Sequence, residues 1–222
     1  MSDPDTIATY ETVAEEYCER HGDRENTVGT GSDEPSLADA REDVAEIVEA
    51  FLLALDREGA NETGGGGSPS RVLDVGCGPG WESATFEEAG YEVLGLDLTT
   101  AFLDAATETA PGADFARMDM RQLGLAADVA DGLWACASFI HVPREEAPAT
   151  LEGFARVLND GGALALSVKR GEGTRAGDAY EGDDREFVLY EPAELCSMVE
   201  AAGFAVEDLR TMNEWIFLLA RA

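Results

Sequence analysis

Three glycines stand at alternate positions in Asp74-Val75-Gly76-Cys77-Gly78-Pro79-Gly80, directly after the short apolar run Val72 to Val75. Glycine adopts the positive-φ backbone that a sharp turn needs, and it lets a ligand come close to the main chain. Asp97 ends the next apolar run, seventeen residues after Gly80. A carboxylate at the end of that strand can accept hydrogen bonds from both hydroxyls of a ribose. The chemistry these residues suggest is therefore the binding of a nucleoside-bearing cofactor. A bare strand-to-helix turn with a strand-capping Asp97 would leave the shared register of the two features unexplained.

The spacing also says which nucleoside. A dinucleotide turn reads G-x-G-x-x-G, its third glycine serving close helix packing. Here the third glycine comes one residue early, and Trp81 occupies the place where the dinucleotide pattern has glycine. Asp74, two residues before the first glycine, lies where a cofactor's cationic amine would sit, and a pyrophosphate gains nothing from a carboxylate there. Both points favour S-adenosylmethionine (SAM) over NAD.

The elements that must position these residues follow from periodicity. From Arg71 onward strand and helix patterns alternate: strands at Val72 to Val75, Glu92 to Asp97, Ala113 to Met118, Gly132 to Ala137 and Ala163 to Val168, with helices between them. Thr100 to Thr109 reads as one helix. A second, opened by Pro143, carries Leu151, Phe154, Ala155 and Leu158 on one face, and a third runs from Pro192 to Gly203. Phe204 to Arg210 and Trp215 to Ala220 read as a terminal hairpin. Such alternation predicts an α/β fold, a doubly wound parallel sheet with ligands at the carboxyl ends of its strands. Upstream, Ile7, Tyr10, Ala14 and Tyr17 share one helical face. A second helix opens at Ser36, with Asp39 in a capping-box position and Leu37, Val44, Val48, Phe51 and Leu55 along its apolar face. Residues 21 to 35 read as a loop, and Gly64 to Pro69 as a flexible connection. The expected division is 1–63 for N-terminal helices forming a lid, 64–70 for a glycine-rich linker and 71–222 for the binding domain.

With 46 acidic and 15 basic residues, the 222-residue chain has a formal net charge of −31, and Lys169 is its sole lysine. At about 1 M salt the Debye length is roughly 3 Å, which removes most of the self-repulsion of such a surface. The expected setting is the cytoplasm of a salt-accumulating halophile. Unfocused nucleic-acid binding is disfavoured, because phosphates would meet a negative field. No apolar run is long enough to span a bilayer, and MSDPDT lacks a signal peptide's basic and apolar regions. The four cysteines form no CxxC pair, and no His/Asp/Glu spacing suggests a metal.

Val72 to Gly80, Leu96-Asp97-Leu98, Met118-Asp119-Met120, Leu133 to Ser138 and Leu158 to Val168 together resemble class I SAM-dependent methyltransferases, the small-molecule branch most closely. The likeness covers about residues 70 to 222, and Tyr10 to Tyr17 resembles that family's lid helix. It implies a seven-stranded Rossmann-like sheet ending in an antiparallel strand, and methyl transfer from SAM to a small-molecule O or N acceptor. Cys77 and Ala137 would belong to the cofactor site, in which Gly76, Gly78 and Gly80 would line the methionine portion. Asp74 would lie near its amino group and Asp97 would hold the ribose. Asp119 would meet the adenine amine, with Leu98, Met118 and Met120 lining the base or packing the core. The family often has glycine where Met118 stands.

By the same resemblance, His141 follows the fourth strand at the edge facing the methyl group. It is either a proton acceptor or a strand cap packed beneath the lid. Lys169 follows the fifth strand, where it either attracts an anionic acceptor or lies in a solvated loop. Tyr10, Tyr17 and Tyr190 would wall the acceptor, whereas Trp215 reads as core packing. A protein that binds SAM without transferring its methyl group is the rival reading.

Overall fold

The computed structural model describes residues 4–22, 37–59 and 70–222. The Gly64 to Pro69 connection, most of the expected 21–35 loop and the Ser36 end of the capping box lie outside them. Two helices come first, α1 (Pro4–Gly22) and α2 (Leu37–Gly59). Then follow β1 (Arg71–Val75), α3 (Trp81–Glu88), β2 (Glu92–Asp97), α4 (Thr100–Thr109), β3 (Asp114–Arg117), β4 (Ala130–Cys136), α5 (Ala147–Val157) and β5 (Leu158–Arg170). The chain ends with β6 (Thr174–Ala176), β7 (Glu186–Tyr190), α6 (Pro192–Ala201), β8 (Ala205–Met212) and β9 (Trp215–Arg221).

β3, β2, β1, β4 and β5 lie side by side and parallel. β9 runs antiparallel along β5, and β8 runs antiparallel along β9. The order β3-β2-β1-β4-β5-β9-β8 is the expected α/β sheet of seven strands, mostly parallel. β1 leads outward through β2 to β3, while β4 pairs with the opposite edge of β1. The winding therefore switches between β1 and β4, where this class of fold opens its ligand crevice.

Side chains alternate between the two faces of each strand. Leu73, Val75, Leu133, Ala135, Leu164 and Leu166 face the apolar sides of α5 and α6. Val72, Trp134, Ala163 and Ala165 face Ile47, Phe51 and Leu55 of α2 and Phe86 of α3. Phe51 is fully buried between the rings of Phe86 and Trp134. Burying one such ring contributes on the order of 2–3 kcal/mol, so α2 is an integral layer on the sheet.

Two features differ from the pattern-based reading. α5 starts at Ala147 with Pro148 in its first turn. Pro143 instead belongs to the preceding turn, its carbonyl accepting the Glu146 and Ala147 N–H groups. The pair β6–β7 was not expected. β7 joins β5 at Lys169 and Arg170, on the edge that β4 leaves free beyond Cys136, and so extends the sheet over the carboxyl end of β4. Among the described residues no helix is long and apolar enough to cross a membrane.

Candidate functional site

β1 delivers the chain into the glycine turn. Gly76 has φ 75° and donates its N–H to the Leu96 carbonyl at 2.6 Å. A Cβ there would lie 2.2 Å from that of Ser138, so any side chain at position 76 would collide with the turn after β4. Gly80, at φ 82°, packs the turn against a helix, since a Cβ on it would lie 2.9 Å from the Ala106 Cβ of α4. Above Gly78, by contrast, the space is open, with no heavy atom within 4 Å of a Cβ built there.

Asp97, at the end of β2, accepts the Gly78 N–H at 3.0 Å on Oδ2 and the Thr99 N–H at 2.8 Å on Oδ1. Burial raises its pKa, against the opposing pull of those N–H groups. An ionised carboxylate is acceptor-only, the character a diol needs, and Asp97 lines the open crevice. Asp74 is 2 % exposed and accepts the Ser83 hydroxyl at 2.5 Å. Burial, reinforced by the negative charge of Glu82, pushes its carboxyl up to about 8.

One open cavity of about 880 Å³, counting the solvent at its mouth, spans the crevice. Gly76, Gly78, Asp97, Cys136, Ala137 and Ser138 line its floor, and Leu98, Met118, Asp119 and Met120 one flank. Ala137 has φ 52°, unusual for a residue with a Cβ, and its N–H is held by the Ser167 hydroxyl at 2.9 Å. The other flank is built by α1, through Thr6, Ile7, Tyr10 and Tyr17, and by His141.

The Tyr10 hydroxyl lies 3.0 Å from His141 Nε2, and His141 Nδ1 lies 3.1 Å from the Glu186 carbonyl. A carbonyl only accepts, so Nδ1 carries the hydrogen and Nε2 accepts the tyrosine O–H. Burial pushes the His141 pKa down to about 4; the Glu186 carbonyl opposes this and the Arg185 charge adds to it. The imidazole is therefore neutral at physiological pH. Tyr17 stacks on Trp81, with centroids 5.9 Å apart at 11°, and meets Tyr10 edge-on at 6.0 Å. Behind Tyr10, the buried Arg185 pairs with Asp183 at 2.6–2.7 Å and lies 5.0 Å from the Tyr10 ring centre.

A family model described as "Methyltransferase domain" matches residues 72–162. Over those residues, which span β1 to the first part of β5, the chain is similar to that domain. Over 127 residues the chain is 32 % identical to an 18S rRNA (guanine-N(7))-methyltransferase of Arabidopsis thaliana, covering 53 % of this chain and 41 % of that one. Over 149 residues it is 31 % identical to a malonyl-[acyl-carrier protein] O-methyltransferase of Serratia marcescens, covering 64 % of this chain and 57 % of that one. The chain thus spans roughly half the length of these curated relatives. In fold it is similar to the magnesium protoporphyrin IX methyltransferase of Synechocystis PCC 6803 solved with bound S-adenosylhomocysteine (SAH). That likeness has a TM-score of 0.70 and 20 % identity, and covers 100 % of this chain and 99 % of that one.

The crevice and α1 bring eleven of the residues given a cofactor or acceptor role in the sequence to one cavity: Gly76, Gly78, Asp97, Leu98, Met118, Asp119, Met120, Ala137, His141, Tyr10 and Tyr17. Asp74, Cys77, Gly80, Lys169 and Tyr190 do not line it. Asp74 and Cys77 lie buried beneath the turn. Lys169 is held by Glu214 at 3.0 Å, with its ammonium 4.5 Å from the Trp215 ring centre. Tyr190 is wholly buried beside Phe139, under the Arg144 guanidinium. Asp119 accepts the Arg121 N–H at 3.0 Å and is also bound by that residue's guanidinium, which reaches Glu146 at 2.8 Å. Arg121, Phe102 and the Asp183–Arg185 pair went unnoticed in the sequence. Phe102 had a signal, its place on the apolar stripe of α4; the ion pair had none.

Proposed function

We propose that this chain is a SAM-dependent methyltransferase that moves a methyl group in line to a small-molecule O or N acceptor. The observation that carries this reading is the single cavity with the glycine turn and Asp97 at one end and the Tyr10–His141 pair at the other. The cradle fits the cofactor: open space above Gly78 and an acceptor carboxylate, Asp97, on the cavity wall. In this reading Gly76, Gly78 and Ala137 bound the methionine portion, Asp97 holds the ribose, and Leu98, Met120 and Asp119 bound the adenine. Asp74, buried beneath the turn, does not touch the amino group; it accepts the Ser83 hydroxyl and so ties the turn to α3. When bound, SAM supplies an activated methyl group on a sulfonium.

What the chain itself must then do is orient the nucleophile and exclude water. Tyr10 and Tyr17 close the cavity from above. His141 presents a neutral Nε2 together with the Tyr10 hydroxyl, a pair suited to orienting an acceptor. With its pKa near 4, His141 holds a transferred proton poorly. The acceptor that suits it arrives with no proton to shed, as a carboxylate oxygen or a free-base amine. Relatives named for malonyl-[acyl-carrier protein] and for trans-aconitate accord with an acidic acceptor, the second of them a small molecule. The relative named for 18S rRNA points to another acceptor, one that the −31 net charge opposes. The same charge supports a salt-rich cytoplasmic setting, in which thermal stability rises from dilute buffer to molar KCl.

The test is incubation with methyl-labelled SAM in molar KCl and a panel of small carboxylates, amines and RNA. Label in a small carboxylate or amine supports the proposal. Label confined to RNA refutes the acceptor class, and SAM binding without turnover on any acceptor would favour the sensor reading.

A further inference from the structure

An α-helix leaves its first N–H groups without internal partners. At the start of α4 the N-cap residue, Thr99, makes no side-chain capping bond. The cap comes from a different helix. Glu11 of α1 accepts the Thr100 N–H at 2.7 Å on Oε1 and the Ala101 N–H at 3.1 Å on Oε2. The preceding N–H, that of Thr99, goes to Asp97 at 2.8 Å. Two carboxylates, one in the lid helix and one at the proposed ribose position, thus share three successive amides.

We propose that Glu11 is a positioning residue that couples the docking of α1 to the conformation of the Asp97–Ala101 segment, so that cofactor binding and lid closure reinforce each other. The proposal rests on reading the cavity as a SAM site. Glu11 needs its negative charge for this role, because the N-terminus of α4 carries the positive end of the helix dipole. Although slight burial works the other way, the Thr100 and Ala101 N–H groups hold its pKa below the ordinary carboxylate value. The next residue back, Tyr10, reaches His141. One turn of α1 therefore joins the ribose end of the cavity to its acceptor end, and filling the first pre-assembles the second. By linkage, whatever factor lid docking adds to cofactor affinity, the cofactor returns to lid docking. Ordinary packing of α1 through the Tyr17–Trp81 stack would dock the lid without any such dependence.

The test uses the full chain in three forms: unaltered, Glu11→Ala and Glu11→Gln. SAH affinity is measured by calorimetry, and hydrogen exchange of residues 4–22 is followed with and without SAH. In the unaltered protein, SAH should slow exchange across α1. Glu11→Ala should bind SAH about fivefold more weakly, the scale expected for a lost cap. Its α1 should exchange faster and no longer respond to SAH. Glu11→Gln, with one carbonyl acceptor and no charge, should fall between; it carries the comparison alone if Glu11→Ala does not fold. A merely structural role would lower thermal stability while α1 still responded to SAH, and that result overturns the proposal, as does unchanged SAH affinity in the variants. No SAH binding by the folded, unaltered protein overturns the cofactor reading as well, a distinct outcome because the variants then have no affinity to lose.

Discussion

Asp74→Asn should reverse the usual penalty for altering a buried polar residue, and do so increasingly as pH rises. The carboxyl lies 2 % exposed under the glycine turn, with the Ser83 hydroxyl as its hydrogen-bond partner and the negative charges of Glu82 and Asp97 nearby. Its pKa moves from 3.8 to about 8 on folding. The folded state therefore binds this proton more tightly than the unfolded chain. The resulting stabilisation is complete below about pH 4 and is lost as pH rises through about 8, at about 1.4 kcal/mol per unit. Asparagine keeps an acceptor for Ser83 and does not ionise. Between pH 6 and 9 the unaltered protein should lose on the order of 2–3 kcal/mol relative to Asp74→Asn. Urea unfolding of both proteins at the two pH values, at one fixed KCl concentration, reads this directly. Parallel stabilities at both values would refute the reasoning, since they would mean that Asp74 is already ionised in the native protein at pH 6.

Gly76→Ala should remove SAH binding in a protein that still folds, because its Cβ meets Ser138 at 2.2 Å on a backbone of φ 75°; calorimetry and circular dichroism check the two halves of that statement. Phe51→Ala should cost about 3–5 kcal/mol, the range for a fully buried aromatic ring, and urea unfolding would show it; a loss under about 1 kcal/mol, well below that range, would mean that α2 is not part of the core. With a labelled acceptor in hand, the rate should show no inflection near pH 6.5, because His141 titrates at about 4. An inflection near the ordinary histidine value that disappears in His141→Asn would restore the histidine as a conventional base.

The crevice was legible in the sequence because its parts are local. The Gly76-to-Gly80 turn and Asp97 each end a strand whose apolar run is self-evident, and α4 has the boundaries its periodicity predicts. What escaped depends on partners distant along the chain. β6 is three exposed residues with no alternation to read, and β7 exists because the edge of β5 runs beyond β4. Pro143 and Pro148 are equivalent helix-start signals by residue type; only the turn closed by the Pro143 carbonyl separates them. Lys169 reads in sequence as either an acceptor contact or a loop residue and Tyr190 as part of the acceptor wall, but contacts with Glu214 and Arg144, from other elements, hold them elsewhere. Spacing from Gly76 alone places Asp74 at the cofactor's amine, whereas strand alternation turns its side chain beneath the turn, toward Ser83 of α3.

The most direct test of the account is calorimetric titration of the chain with SAM and SAH in molar KCl, repeated on Asp97→Ala. Saturable binding by the unaltered protein that is lost in a folded Asp97→Ala variant is the predicted result. Absence of binding by the folded, unaltered protein, or affinity unchanged by Asp97→Ala, would contradict it.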